Sequence, residues 1–251
     1  MSMLVQTERQ LFSGRVAIVT GASSGIGRAI AIALAAEGAA VCAVGRNQNA
    51  LDETQQKIYE AGGTPYVSQL DLTNDEKVRE FASRVHTDFK RLDILIHCAG
   101  IMIQQPVGEP NIDDFDMHYR TNLRAPYLLT YLLLPLLIHN HGQIAFINST
   151  LGLAVKTAGV GQYSATKHGL KAVADALREE VNNLGIRVLT VYPGRTASPL
   201  QEMVHRVEQK PYCPELLLQP QDVAAVVVRT LALPSTAEVT DITMRSMLKP
   251  M

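Results

Sequence analysis

The chain has 251 residues, enough for one large domain with a sizeable core. Its formal net charge of −1, with 19 % charged and 47 % hydrophobic residues, excludes the basic footprint of a nucleic-acid binder or an electrostatic membrane anchor. Three cysteines, Cys42, Cys98 and Cys213, form no C-x-x-C pair, so a reduced, cytoplasmic setting is expected, without a disulfide framework or a metal site. The opening residues, MSMLVQTERQ, carry no signal-peptide core, and residues 1–12 are expected to form a loose N-terminal extension.

Apolar runs of strand length alternate with helical patterns along the whole chain, which predicts an α/β fold: a single-domain, Rossmann-like, doubly wound parallel sheet of about seven strands flanked by helices. The first strand is Val16 to Val19, followed by a glycine-rich turn and a helix from Arg28 to Glu37. Ala40 to Gly45 is the second strand, with a helix running on to about Ala61, and Thr64 to Leu70 the third, with Asn74 capping the next helix. Leu92 to His97 gives a fourth strand, then a long helical region runs from about Asp113 to Ile138. Its Leu123–Ile138 part is too short to span a bilayer and contains Arg124, Pro126 and Pro135, so it reads as a buried helix. Gln143 to Ser149 is the fifth strand, about Gln162 to Leu184 a helix, and Ile186 to Tyr192 the sixth strand. Gln221 to Leu233 is a helix and Glu238 to Arg245 the last strand.

The stretch Val16 to Ile30, VAIVTGASSGIGRAI, is a strand feeding a helix through glycines. Such a junction offers bare backbone N–H groups and the positive end of a helix dipole, a site for a pyrophosphate, though a tight turn binding nothing has the same appearance. Gly21 permits the turn, Gly25 lets a diphosphate approach the backbone, and Gly27 lets the helix lie on the strand; Ser23, Ser24 and Ile26 complete the loop. The spacing is T-G-x-x-x-G-x-G, and here the sequence resembles the short-chain dehydrogenase/reductase family.

The resemblance extends over essentially the whole chain through five motifs in order, and it implies a nicotinamide dinucleotide cofactor. After the second strand stands Gly45-Arg46-Asn47, with no carboxylate until Asp52. Arg46 lies where the side chain that discriminates the adenine ribose is expected, and a charge-assisted bond to a 2′-phosphate contributes about 1.5–3 kcal/mol. NADP(H) is therefore expected over NAD(H), with Ser24 and Asn47 assisting; a solvated arginine opening a helix is the plainer alternative. Asp71, followed by Leu72, matches the aspartate that contacts adenine in the family, or else is a turn residue. His97-Cys98-Ala99-Gly100 departs from the usual Asn-Asn-Ala-Gly: Ala99-Gly100 keep the close passage beside the cofactor, while His97 and Cys98 replace amides that tie neighbouring strands. His97 is expected to be a satisfied semi-buried histidine and Cys98 a small buried residue.

Tyr163 and Lys167, four apart on a predicted helix, project from one face. A phenol has a pKa of about 10, and a nearby ammonium would stabilise its phenolate, making Tyr163 a general acid or base. Lys167 would also hold the nicotinamide ribose. A surface Tyr–Lys pair is the bland reading, and Ser149 is what lifts it: it stands at the carboxyl end of the fifth strand, where ligands bind in open parallel sheets, and can hydrogen-bond a substrate oxygen. Thr150 is an adjacent hydroxyl, but Ser149 lies three before Gly152, as in the family. Asn122 sits where the family carries a helix asparagine that distorts the helix and holds a water, or is a polar-face residue. Pro193-Gly194 would pass over the nicotinamide, with Thr196 or Ser198 reaching its carboxamide.

Residues 195–220 are expected to form a loop or short helix over the substrate, and Ile101, Met102, Leu151, Leu153 and Val155, with Lys156 nearby, to wall a pocket for an uncharged carbonyl compound. The expected activity is an NADPH-dependent carbonyl reductase running reversibly as an alcohol dehydrogenase. An NAD-dependent hydroxy-compound dehydrogenase and a non-catalytic dinucleotide sensor are the rival readings. The family also implies a homodimer or homotetramer through the helices around Leu128 and Ala172.

Overall fold

The computed structural model describes residues 10–248. Seven strands form one parallel sheet: β1 (Val16–Thr20), β2 (Ala40–Gly45), β3 (Thr64–Gln69), β4 (Ile94–His97), β5 (Gln143–Ile147), β6 (Arg187–Pro193) and β7 (Asp241–Met244), in the order β3-β2-β1-β4-β5-β6-β7. The expected sheet is present. Its order reverses between β1 and β4, so the crevice beyond their carboxyl ends is the place where an open α/β sheet binds a ligand.

The apolar runs are continuous because both faces of the central strands are covered. Along β1, Ala17 and Val19 enter one core while Ile18 enters the other; along β5, Ala145 and Ile147 face the first and Ile144 and Phe146 the second. The first core is closed by α1 (Gly25–Ala36), α2 (Gln48–Glu60) and α8 (Pro220–Leu231), whose Leu34, Leu51 and Val227 are buried in it. The second is closed by α3 (Asp75–Arg84), α5 (Ala125–His139) and α6 (Gly161–Val181), through Phe81, Leu133 and Leu170. Asn74 caps α3 as expected, its side chain accepting from the Lys77 N–H at 3.1 Å. No helix among the described residues is long and apolar enough to cross a membrane.

Several expectations need correction. Helix α1 begins at Gly25 rather than Arg28, so two of the three glycines belong to its first turn. Strand β4 starts at Ile94 and β5 ends at Ile147, which puts Ser149 past the strand, on a 3₁₀ turn (Thr150–Gly152) that it caps. The long helical region is α4 (Ile112–Tyr119), a π-helical turn (Arg120–Arg124) and α5. The widened turn is closed by the Ala125 N–H on the Arg120 carbonyl and contains Asn122, where a helix-distorting asparagine was expected. Of the supposed loose extension, residues 1–9 lie outside the described residues, and Phe12 is buried in the first core with its N–H on the Glu37 carbonyl at 2.8 Å. The segment 195–220 holds a nine-residue helix, α7 (Pro199–Val207), and a 3₁₀ turn at Pro214–Leu216.

Candidate active site

One cavity of about 850 Å³ opens at the carboxyl ends of β1, β2, β4, β5 and β6. Its floor at one end is the β1–α1 junction. Gly21 has φ +69°, and a Cβ there would stand 2.8 Å from the Cα of Ala99, so the two segments cross backbone to backbone. At Gly27 a Cβ would run into the Gly21 carbonyl. Gly27→Ala is expected to destabilise the chain by about 1–3 kcal/mol, whereas Gly108→Ala, in open space, is neutral; thermal unfolding of the two variants checks this.

Ser24 takes the cap position of α1 without a side-chain bond, so its hydroxyl and the first-turn N–H groups stay open to a ligand. The Ser23 hydroxyl is buried and has no partner. Arg28, which the sequence did not single out, fastens this loop: its guanidinium donates to the Ser23 carbonyl at 2.5 Å and the Ala50 carbonyl at 3.0 Å. An open helix N-terminus, an orphaned hydroxyl and a backbone that tolerates no Cβ together fit a dinucleotide pyrophosphate.

Arg46 is exposed on the rim beyond β2. Asn47 lines the same rim, but its side chain caps α2, accepting from the Ala50 N–H at 3.0 Å. Asp71 makes a turn, accepting from the Thr73 N–H at 2.9 Å and hydroxyl at 2.8 Å, and also lines the cavity beside Leu72. Partial burial would raise its carboxyl, but the Thr73 bonds and the charges of Arg46 and Lys77 hold it below its ordinary value.

Cys98, Ala99 and Gly100 form the wall next to the glycine junction. The tie between strands that the missing amides would make falls to Thr20, whose hydroxyl donates to the Ile96 carbonyl and accepts from the Cys98 and Ala99 N–H groups at 3.0 and 3.2 Å. His97 is satisfied as expected but fully rather than semi-buried: its Nε2 lies 2.8 Å from the Thr130 hydroxyl, its ring stacks on Phe146, and burial pushes its pKa down to about 3. Burial pushes the Cys98 thiol up to about 12, so it stays protonated beside Lys167.

Ser149, Tyr163 and Lys167 converge on this wall. Ser149 accepts from the Leu151 N–H at 3.1 Å and lines the cavity with Tyr163. The Lys167 Nζ donates to the Ile147 carbonyl at 3.1 Å and lies 5.8 Å from the centre of the Tyr163 ring. Burial, opposed by Ser149 and reinforced by Cys98, pushes Tyr163 up to about 12, and burial pulls Lys167 down to about 8. Desolvation outweighs an ammonium placed over the ring face.

Asn122 sits behind the wall within the π-helical turn, its amide bonded both ways to the backbone of Ile101, at 2.9 and 3.0 Å, and to the Thr166 hydroxyl. Pro193, Gly194, Thr196 and Ser198 line the cavity; the Thr196 hydroxyl donates to the Gly194 carbonyl and Ser198 caps α7. Ile101, Met102 and Leu151 are in the wall, but Leu153 and Val155 are exposed elsewhere, because local apolarity does not say which way a 3₁₀ turn points them.

Sequence reasoning missed the closure at the substrate end. Arg195 donates to both Glu208 oxygens at 2.6 and 2.8 Å, and Gln104 to one of them at 3.2 Å. Partial burial would raise Glu208, but Arg195, Gln104 and Lys210 bring it down to about 2, so the tie persists across ordinary pH.

A family model described as short chain dehydrogenase matches residues 15–209. An uncharacterized oxidoreductase of Staphylococcus epidermidis is 32 % identical over 234 residues, covering 92 % of this chain and 96 % of that protein. Glycine betaine reductase ATRR of Emericella nidulans is 33 % identical over 92 % of this chain, which spans only 18 % of that protein. The alcohol dehydrogenase of Thermococcus sibiricus, solved with 5-hydroxy-NADP, superposes with a TM-score of 0.84 at 27 % identity, covering 94 % of this chain and 98 % of that one. By its matched length and its relatives, the chain belongs to the short-chain dehydrogenase family of oxidoreductases.

Proposed function

We propose that this chain is an NADP(H)-dependent oxidoreductase that interconverts a carbonyl compound and a secondary alcohol, with Tyr163 as the acid–base group. The observation that carries the reading is the meeting of the Tyr163 phenol, the Ser149 hydroxyl and the Lys167 amine in the one cavity that begins at the glycine junction.

A bound nicotinamide supplies or accepts the hydride. Ser149 hydrogen-bonds the substrate oxygen as charge builds on it. Tyr163, raised to about 12, holds its proton at neutral pH and delivers it to that oxygen in reduction. Lys167 would hold the nicotinamide ribose, the first-turn N–H groups of α1 the pyrophosphate, and Arg46 the 2′-phosphate. Met102, Ile101 and Leu151 give the substrate an apolar wall, and Arg195 is already neutralised by Glu208, which suits an uncharged substrate.

The test is nicotinamide absorbance across a panel of ketones, aldehydes and secondary alcohols with each cofactor. Turnover with NADPH favoured is expected; tight NADPH binding without turnover of any member would favour a dinucleotide sensor. Arg46→Asp is expected to shift the NADPH-to-NADH ratio of kcat/KM by about 10- to 100-fold toward NADH, and an unchanged ratio would retire the assignment. For the expected self-association, Leu128 is buried, while Tyr127 and Tyr131 of α5 are 61 % and 65 % exposed and Ala172 of α6 is exposed. We place a homodimer or homotetramer contact on those side chains, to be read by light scattering.

A further inference from the structure

After β4 the chain crosses the substrate end of the cavity as residues 101–105, and every second residue is fastened through its backbone. Ile101 is held through both its N–H and its carbonyl by Asn122. The Ile103 N–H donates to Nε2 of His118 at 3.0 Å. The Gln105 N–H donates to the Gly159 carbonyl at 2.8 Å, and its side chain reaches Asp114. Ile101, Met102 and Gln104 line the cavity, whereas Ile103 and Gln105 do not. Backbone ties at Ile101, Ile103 and Gln105 thus hold a segment that contributes Ile101, Met102 and Gln104 to the cavity.

His118 itself is fully buried on α4. Because Nε2 takes an N–H, Nδ1 must carry the ring proton, and it donates to the Asp114 carbonyl at 2.7 Å. The ring also meets Tyr163 edge-on, centroids 6.3 Å apart at 71°. An apolar residue would fill this place as well but could not fix Ile103. The charged or titratable groups against the imidazole are Asp114 from its own helix, whose carboxylate is engaged by Gln105, and the Tyr163 phenol from α6. Burial, opposed by the Asp114 bond and charge, keeps the imidazole below its ordinary pKa and so neutral.

We propose that His118 is a positioning residue: it holds residues 101–105 as the wall that presents Met102 and Gln104 to the substrate, and thereby sets the selectivity of the site. The selectivity half rests on the oxidoreductase reading; the hold on the segment does not.

Amide hydrogen exchange on the full chain tests the hold. In His118→Leu, exchange within 101–105 should rise about tenfold, the loss of one buried hydrogen bond, while β1 amides stay unchanged. His118→Gln, which keeps an acceptor near the Nε2 position, should restore most of the protection. Unchanged exchange in His118→Leu, an equal rise in β1, or a glutamine variant as unprotected as the leucine one overturns the proposal. In turnover, His118→Leu should shift the ratio of kcat/KM for cyclohexanone over benzophenone by about tenfold with NADPH affinity preserved, and His118→Gln should return it; an unmoved ratio overturns the selectivity half. If the wild-type chain turns over no member of the carbonyl panel, the oxidoreductase reading and the selectivity half fall together, and the exchange pattern decides the hold alone.

Discussion

Replacing Tyr163 with phenylalanine is expected to lower kcat by about 10²–10⁴-fold and to leave dinucleotide affinity almost unchanged. The reason is a division of labour within the cavity. The groups open to a pyrophosphate are backbone N–H groups of the β1–α1 junction, whereas the phenol stands with Ser149 and Lys167 at the other end. Phenylalanine keeps the ring packed against His118 and Lys167 and removes only the proton carrier. Steady-state rates and a cofactor fluorescence titration on the same variant separate the two effects. The direction of the pH dependence is also set. Burial puts Tyr163 at about 12, so reduction finds its proton donor protonated at any ordinary pH. Oxidation needs the phenolate, and its kcat/KM should rise with pH by up to about tenfold per unit. A variant that kept wild-type turnover would remove Tyr163 from the mechanism.

The second large effect joins stability to chemistry. Lys167 is buried, and its pKa falls from 10.5 to about 8. Between those values the unfolded chain binds more protons than the folded one, so stability rises with pH across that window. Below pH 8 both states are protonated and the folded chain carries the whole penalty, roughly 3 kcal/mol from the size of the shift. Lys167→Met removes the charge and leaves the Ile147 carbonyl without its donor, which costs about 1 kcal/mol. At pH 7 the cofactor-free variant should therefore be more stable than the parent, and that advantage should fade as pH approaches 10. Its kcat should drop by about 10²–10³-fold, the scale for losing one preorganised donor. Denaturant unfolding at the two pH values, beside a rate assay, checks both halves; a variant less stable at pH 7 contradicts the account.

Much of this was legible in the sequence. Continuous apolar runs announced strands buried on both faces, and the small residues of α1 and the glycines of its junction announced a close crossing. Tyr163, Lys167 and Ser149 could be brought together on spacing and resemblance. What escaped shares one physical origin: it depends on segments distant in the chain. Arg28 reaching Ala50, Thr20 tying Ala99, and Arg195 meeting Glu208 and Gln104 are pairings that no local pattern encodes. The π-helical turn falls where the resemblance placed a helix-distorting asparagine, Asn122. For Tyr163, proximity to Lys167 argues for a lower pKa and burial for a higher one, and only the folded chain shows how dry the site is.

The most direct test is a crystal structure of the chain soaked with NADPH. The account predicts the diphosphate on the first-turn N–H groups of α1, the 2′-phosphate against Arg46, and the nicotinamide facing the Tyr163 hydroxyl and Ser149. A dinucleotide seated elsewhere, or one whose nicotinamide turns away from Tyr163, would contradict it.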